Sequence, residues 1–204
     1  MMRHSLTLFL LLVVVAALPA CAAHGGGRLA VRSIGDPRTV LAGGFDQGWY
    51  TFDDRNNLTA VLLDGPIESP TRAVTIRMFW QPQAGRTPLD ASATNATIHY
   101  MIFTGDNNAL VGVYSGAGFL YPTSKPGSRT LAAGLWQAHL RLDVSTQGFA
   151  DRLGQAVLQG EFTARRDEKA IGPVLRQLNL LVRERLGFAR LVEHDSSSRS
   201  VPVF

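Results

Sequence analysis

The segment VTIRMFWQ, residues 74–81, carries the alternation that decides the fold class. A period of two residues is that of a β-strand with one buried face. The same alternation dominates from about residue 48 to residue 165, where glycine and proline recur at short intervals and mark turns. The residues expected on the buried face of this first strand are Val74, Ile76, Met78 and Trp80.

Further strands are predicted on both sides of this segment. Leu58–Asp64, Thr97–Thr104, Ala109–Tyr114 and about 156–165 are each rich in β-branched, aromatic or aliphatic residues between turn signals. No helical crossover separates them, so the fold is predicted to be mainly β, as an antiparallel β-sandwich or barrel-like domain. One more strand has an inward face of Trp136, Ala138, Leu140, Leu142 and Val144, and an outward face of Gln137, His139, Arg141 and Asp143.

One C-terminal amphipathic α-helix is predicted at about 173–186. Pro173 suits the first helical position, where its missing N–H costs nothing, and Gly187 suits the C-terminal cap. The apolar stripe has the width that a core-facing helix needs, so the helix is expected to pack on its own domain. Docking on a membrane or a partner is the alternative.

The start of the chain has the order of an export signal. Arg3 precedes an uncharged run from Leu6 to Leu18, and Leu18-Pro19-Ala20-Cys21 follows with the only cysteine of the chain. The run is shorter than the roughly 20 residues of a membrane span and has the length of a signal-peptide core. Residues 1–20 are therefore predicted as a signal peptide, 21–27 as a flexible tether, 28–194 as one β-rich domain and 195–204 as a mobile tail.

The Leu18–Cys21 motif resembles the signal peptide of bacterial lipoproteins. That resemblance implies cleavage before Cys21, a diacylglycerol on its sulfur and a further acyl chain such as palmitate on its amino group. Ala22 follows the cysteine where that family uses Asp for inner-membrane retention, which implies the outer membrane of the cell envelope. A cleaved signal without lipid is the alternative, since Ala20 and Ala22 also fit an A-x-A-like site.

Composition narrows the possible partners. Removing residues 1–20 leaves 184 residues, enough for one domain with a real core, and no intrachain disulfide can form. The formal charge is +4, and the arginines are scattered along the chain rather than clustered in a stripe. This pattern does not predict nucleic-acid binding.

The chain shows no preassembled catalytic or metal-binding motif. His99 and His139 lie on separate strands without H-x-H or H-E-x-x-H spacing, so no metal site and no cofactor are predicted. Gly112–Gly116 departs from the nucleophile elbow because Val113 stands where glycine is needed. A hydrolase using His139 with Asp143 or Ser115 stays open as a weak alternative.

Aromatic residues supply the candidate binding surface. Trp49, Tyr50 and Tyr121 are expected at an edge or rim of the sheet, whereas Trp80 and Trp136 are expected in the core. The leading functional expectation is a non-catalytic binding or assembly role with an envelope protein, held at the membrane through Cys21. A glycan-binding module that uses Trp49, Tyr50 or Tyr121 is the second expectation.

Overall fold

The computed structural model describes residues 25–35, 38–53, 55, 57–83, 87 and 93–188. The predicted signal peptide, Cys21 and the predicted tail 195–204 lie outside these residues. In chain order the elements are β1 Gly26–Ser33, β2 Val40–Phe45, β3 Gln47–Phe52, β4 Leu58–Asp64, β5 Arg72–Met78, β6 Ala96–Thr104, β7 Leu110–Pro122, β8 Thr130–Ser145, β9 Gln155–Arg166 and α1 Glu168–Leu186.

The nine strands form one sheet in which β3 to β9 close into a ring, and β1 and β2 extend the sheet from β9. Neighbours follow the order β2-β1-β9-β3-β4-β5-β6-β7-β8, and an additional ladder joins β8 to β9. All ladders are antiparallel except the short β3–β9 contact, where Trp49 and Tyr50 lie beside Arg165 and Arg166. The prediction of a mainly β, antiparallel domain with one C-terminal helix is confirmed, and the closed sheet is a barrel-like arrangement.

Alternation along the strands builds two hydrophobic cores. On β4, Leu58, Ala60 and Leu62 belong to a cluster to which all nine strands contribute, and this cluster fills the inside of the closed sheet. The residues between them, Val61 and Leu63, belong to a second cluster on the outer face, where α1 packs. Strands buried on both faces read as continuous apolar runs, and residues 60–63 of β4 and 100–103 of β6 do so for this reason.

Helix α1 begins earlier than the sequence predicts. Asp167 is the N-cap, and its side chain accepts a hydrogen bond from the Ala170 amide at 2.9 Å. Pro173 therefore lies inside the helix, and its prediction as the first helical residue is wrong. Pro173 is the sixth residue of the helix, beyond the first turn where the N–H groups have no partner, so one backbone hydrogen bond to the Lys169 carbonyl is missing. Gly187 caps the C-terminus in a left-handed conformation at φ 81°, as predicted.

The predicted tether is partly a strand. Gly26 and Gly27 are the first residues of β1 and pair with β9. A Cβ on Gly27 would lie 2.5 Å from both the Glu161 carbonyl oxygen and the Phe162 Cβ, so glycine is needed for this close approach. The glycine run thus reflects tight strand packing, which composition does not distinguish from flexibility. None of the helical segments within the described residues has the length and apolarity of a membrane span.

Candidate binding groove

Trp136 lies on the outer face of β8 beside a β-bulge. The β8–β9 register runs regularly to Leu135 and resumes at Ala138, so two residues are left between them. Both flanking residues stay in the inner core, and Trp136 and Gln137 both lie on the surface. Gln137 has a φ of 43°, in the left-handed region, and Trp136 is 62% exposed. The prediction that Trp136 faces the core is wrong because the bulge interrupts the period of two.

A groove of about 730 Å³ lies beside Trp136 on the outer face of β2, β1, β9 and β8. Four exposed polar side chains surround it: Arg28, Gln137, Gln159 and Glu161. Arg28 and Glu161 are opposite each other in the β1–β9 ladder, so they share one face of the sheet. The groove thus combines one indole, two amides and one charge of each sign.

Glycines form much of the groove floor. Gly160 has a φ of 145°, and a Cβ there would lie 2.2 Å from the Arg28 carbonyl oxygen, so only glycine permits this approach of β1 to β9. Gly44 differs, because a Cβ there would meet no atom within 4 Å and its φ is not in the positive range. A side chain at position 44 would therefore extend into open space at the groove without strain.

Other aromatic residues lie beside Trp136, and of these Phe119 is buried whereas Trp80 and Tyr121 are exposed. Phe119 is opposite Trp136 in the β7–β8 ladder, and Trp80 packs edge-on against Phe119 with ring centroids 6.0 Å apart. Tyr121 is opposite Gly134 and is 39% exposed. Trp80 is 37% exposed, not buried as predicted, because β5 ends at Met78 and the alternation ends with it.

The three aromatic residues predicted as a binding surface, Trp49, Tyr50 and Tyr121, differ in their exposure to solvent. Tyr50 is fully buried, and its hydroxyl donates a hydrogen bond to the Ser128 carbonyl oxygen, so the prediction that it is exposed is wrong. Trp49 is half-buried and packs against the outer core beneath α1. Tyr121 lies on the surface as expected. The closed sheet leaves no edge at β3, since β4 and β9 flank it, and this is why Tyr50 is enclosed.

A second cavity of about 530 Å³ opens at one end of the closed sheet. Arg72 forms an ion pair there with Asp64, donating from Nε to Oδ2 at 2.8 Å, and its guanidinium lies 5.7 Å from the Phe45 ring centroid. Burial alone would lower the pKa of Arg72, but the hydrogen bond that Arg72 donates to Asp64, the charge of Asp64 and the neighbouring Tyr100 together outweigh it and raise that pKa. A Cβ on Gly43 would lie 1.6 Å from Arg72 Nη1, so the guanidinium fits only against glycine.

The loop between β8 and β9 closes over this second cavity. The Tyr114 hydroxyl donates to Asp151 Oδ1 at 2.6 Å, and the same oxygen accepts from the amides of Leu153 at 3.0 Å and Gly154 at 2.9 Å. Burial and the neighbouring carboxylate both raise the pKa of Tyr114 far above its ordinary value. Burial would raise the pKa of Asp151, but the three donated hydrogen bonds lower it overall. The polar groups at the mouth of the cavity therefore form hydrogen bonds with one another.

The outer face of β6, β7 and β8 carries a hydrogen-bonded trio. His99 Nδ1 lies 3.0 Å from Ser115 Oγ, and Ser115 donates to Asp143 Oδ2 at 3.0 Å. Ser115 and Asp143 meet as the hydrolase alternative requires, but the imidazole is that of His99 and not of His139. The serine proton points to the carboxylate, an order that differs from a nucleophile–imidazole–carboxylate relay. None of the three residues lines either cavity.

Sequence reasoning missed Trp136, Gln159 and Glu161 as surface groups of one site. The available signal was weak: Gly134 and Gly160 stand near the bulge, and isolated glycines in strands indicate bulges or close backbone approach. Among the described residues, no group of histidine, cysteine, aspartate and glutamate side chains is arranged to hold a metal ion.

Comparisons with protein-family models, with curated proteins and with solved structures give no match for this chain. The groove and the N-terminal motif are the two features of the chain that bear on its function.

Proposed function

We propose that this chain is a lipid-anchored protein of the cell envelope with a non-catalytic binding role, and that the groove beside Trp136 is its binding surface. Two features support the proposal: the lipoprotein-like Leu18–Cys21 motif and the exposed aromatic groove. Diacylglycerol and a third acyl chain on Cys21 would give stable anchoring, because a single chain does not. Ala22 favours the outer membrane.

The exposure of Trp136 is the observation that carries the binding role. Large aromatic side chains supply contact area at low entropic cost and are enriched at binding surfaces. The bulge that presents Trp136 holds Gln137 in the left-handed region, which costs about 1–2 kcal/mol for a residue with a Cβ. A strained backbone that places an indole in solvent favours a ligand-binding role over a packing role.

The anchor is tested by the intact mass of the protein extracted from membranes. We expect a chain that begins at Cys21 and carries acyl chains, and we expect Cys21→Ser to release the protein from the membrane fraction. A water-soluble wild-type protein, a retained leader or a start beyond Cys21 would contradict the anchor.

The binding role is tested by recovering the protein from native membranes with its bound components. Gly44→Gln inserts a side chain into the groove, and Gly35→Gln is the matched control, since a Cβ at Gly35 also meets no atom within 4 Å but lies outside the groove. We expect a component that wild type and Gly35→Gln retain and that Gly44→Gln and Trp136→Ala lose. Equal recovery with all four proteins would contradict a role for the groove.

A further inference from the structure

We infer that the groove binds the uncharged saccharide headgroup of a glycolipid in the membrane that holds the protein. The inference rests on the proposed function and names the ligand of the same groove. Three observations carry it: the chemistry of the lining, the paired strands beneath it and the distance to the anchor.

The lining fits a neutral, hydroxyl-rich ligand. Arg28 and Glu161 cancel in charge, so the groove offers no net field to attract a phosphate or a polycation. Gln137 and Gln159 each have an amide that donates and accepts hydrogen bonds, as sugar hydroxyls also do. The indole of Trp136 offers an apolar face against which the C–H face of a pyranose ring can pack.

The size of the groove fits more than one sugar ring. Four neighbouring strands, β2, β1, β9 and β8, cross beneath it, and a spacing of about 4.8 Å per strand gives a span of roughly 14 Å. An extended peptide is disfavoured as the occupant. The strands β1, β8 and β9 are paired along both edges, and among the described strands at the groove only β2 has an unpaired outer edge. A peptide that added to the sheet would therefore lie beyond β2, three strands away from Trp136 on β8.

The predicted anchor places the groove near the bilayer. Arg28 follows Cys21 by seven residues, and a fully extended chain advances at most about 3.5 Å per residue, or roughly 25 Å in all. A groove held this close to acyl chains meets headgroups of its own membrane at far higher effective concentration than a soluble polymer. For this reason we assign the ligand to a membrane lipid and not to a free polysaccharide.

The test uses the lipidated protein reconstituted into phosphatidylcholine vesicles, with tryptophan emission quenched by acrylamide. One set of vesicles contains digalactosyl diacylglycerol, a second set contains none, and a third set contains none but receives the same concentration of soluble digalactose. We expect the fraction of tryptophan emission that acrylamide can quench to fall only with the glycolipid. Trp136 is the most exposed of the three tryptophans, so a headgroup that covers it removes the largest part of the quenchable emission.

Variants locate the effect. Gly35→Gln should keep the drop and Gly44→Gln should lose it, with Trp136 retained as the reporter in both. Gln159→Ala, at an exposed position, should reduce the drop and provides a second check if Gly44→Gln alters folding. Any of three results would overturn the inference. These are an equal drop with soluble digalactose, no drop with either form of the sugar, and a drop that persists in both Gly44→Gln and Gln159→Ala. Flotation of the protein with vesicles reports the anchor separately, so failure of the anchor and failure of the headgroup assignment are distinguishable.

Discussion

Removal of the Tyr114 hydroxyl should destabilise the domain in a manner that depends on pH. This hydroxyl is buried at the mouth of the closed sheet and donates to Asp151 Oδ1 at 2.6 Å. A hydrogen bond to a charged group contributes about 1.5–3 kcal/mol. Asp151 lies on an exposed loop, so the lower end applies, and we expect Tyr114→Phe to cost about 1.5 kcal/mol at pH 7. For a domain of this size that loss lowers Tm by roughly 3–6 °C.

The sign of the pH dependence follows from the lowered pKa of Asp151. An aspartate whose folded pKa lies below its unfolded value of about 3.9 adds stability above that value and loses it as the pH falls through the folded pKa. Once Asp151 is protonated, the bond joins two neutral groups and contributes only roughly 0.5–1.5 kcal/mol. The free-energy difference between wild type and Tyr114→Phe should therefore shrink in acid.

Urea unfolding at pH 7 and in acid measures this difference, and NMR titration of the Asp151 carboxyl measures its pKa directly. We expect that pKa to rise in Tyr114→Phe. Tyr50→Phe is the matched control, because the Tyr50 hydroxyl donates to a backbone carbonyl, which does not titrate. The free energy of unfolding lost in Tyr50→Phe should therefore not vary with pH. An unchanged Asp151 pKa, or a free-energy difference that is constant from pH 7 into acid, would refute the proposed coupling.

Three further substitutions test the local structure. Gln137→Gly should leave stability unchanged or raise it by up to about 1 kcal/mol, because glycine relieves the left-handed strain, and urea unfolding that shows a loss would contradict the strain. Asp167→Ala should cost about 1 kcal/mol in the same assay by removing the N-cap acceptor of Ala170, whereas Asp167→Asn should retain most of it. Gly112→Ala should cost about 1–3 kcal/mol, since a Cβ there would lie 2.2 Å from Phe149, and unchanged near-UV circular dichroism together with unchanged stability would contradict this packing.

The period of two was sufficient to predict most of the sheet. β4 was predicted with its observed ends, and the predictions for β6 and β9 differ from the structure by one residue at one or both ends. The sequence patterns of β4, β6 and β9 are strong because these strands have buried residues at alternate positions. In β4 and β6 some of the residues between those positions are buried as well. The helix and its C-terminal cap at Gly187 are predicted correctly. The predicted start at Pro173 is wrong, because Asp167 is the N-cap and the helix begins at Glu168.

The first two strands were not predicted from the sequence. The glycine run predicts a tether at Gly26 and Gly27, which lie in β1, and no element is predicted at Gly43 and Gly44, which lie in β2. Gly26, Gly27 and Gly43 are instead packed so closely against other groups that a Cβ would overlap them. Such contacts are tertiary, and local propensity carries no information about them.

The alternation misplaces Trp136 and correctly places Gln137 on the outward face, and both residues line the proposed site. Regular alternation fixes where a side chain points only while the ladder is regular, and one bulge reverses the assignment. The buried Leu131, Ala133 and Leu135 place Trp136 on the outer face by ordinary alternation, whereas the alternation of Ala138 and Leu140 read backward would bury Trp136 and expose Leu135. The chain instead keeps Leu135 and Ala138 in the core on either side of the break, so the core is preserved while the indole is presented to solvent. Local rules fail in folded proteins mainly where function opposes them. The bulge therefore supports the proposal that the groove, and not the satisfied polar groups at the cavity mouth, is the binding surface.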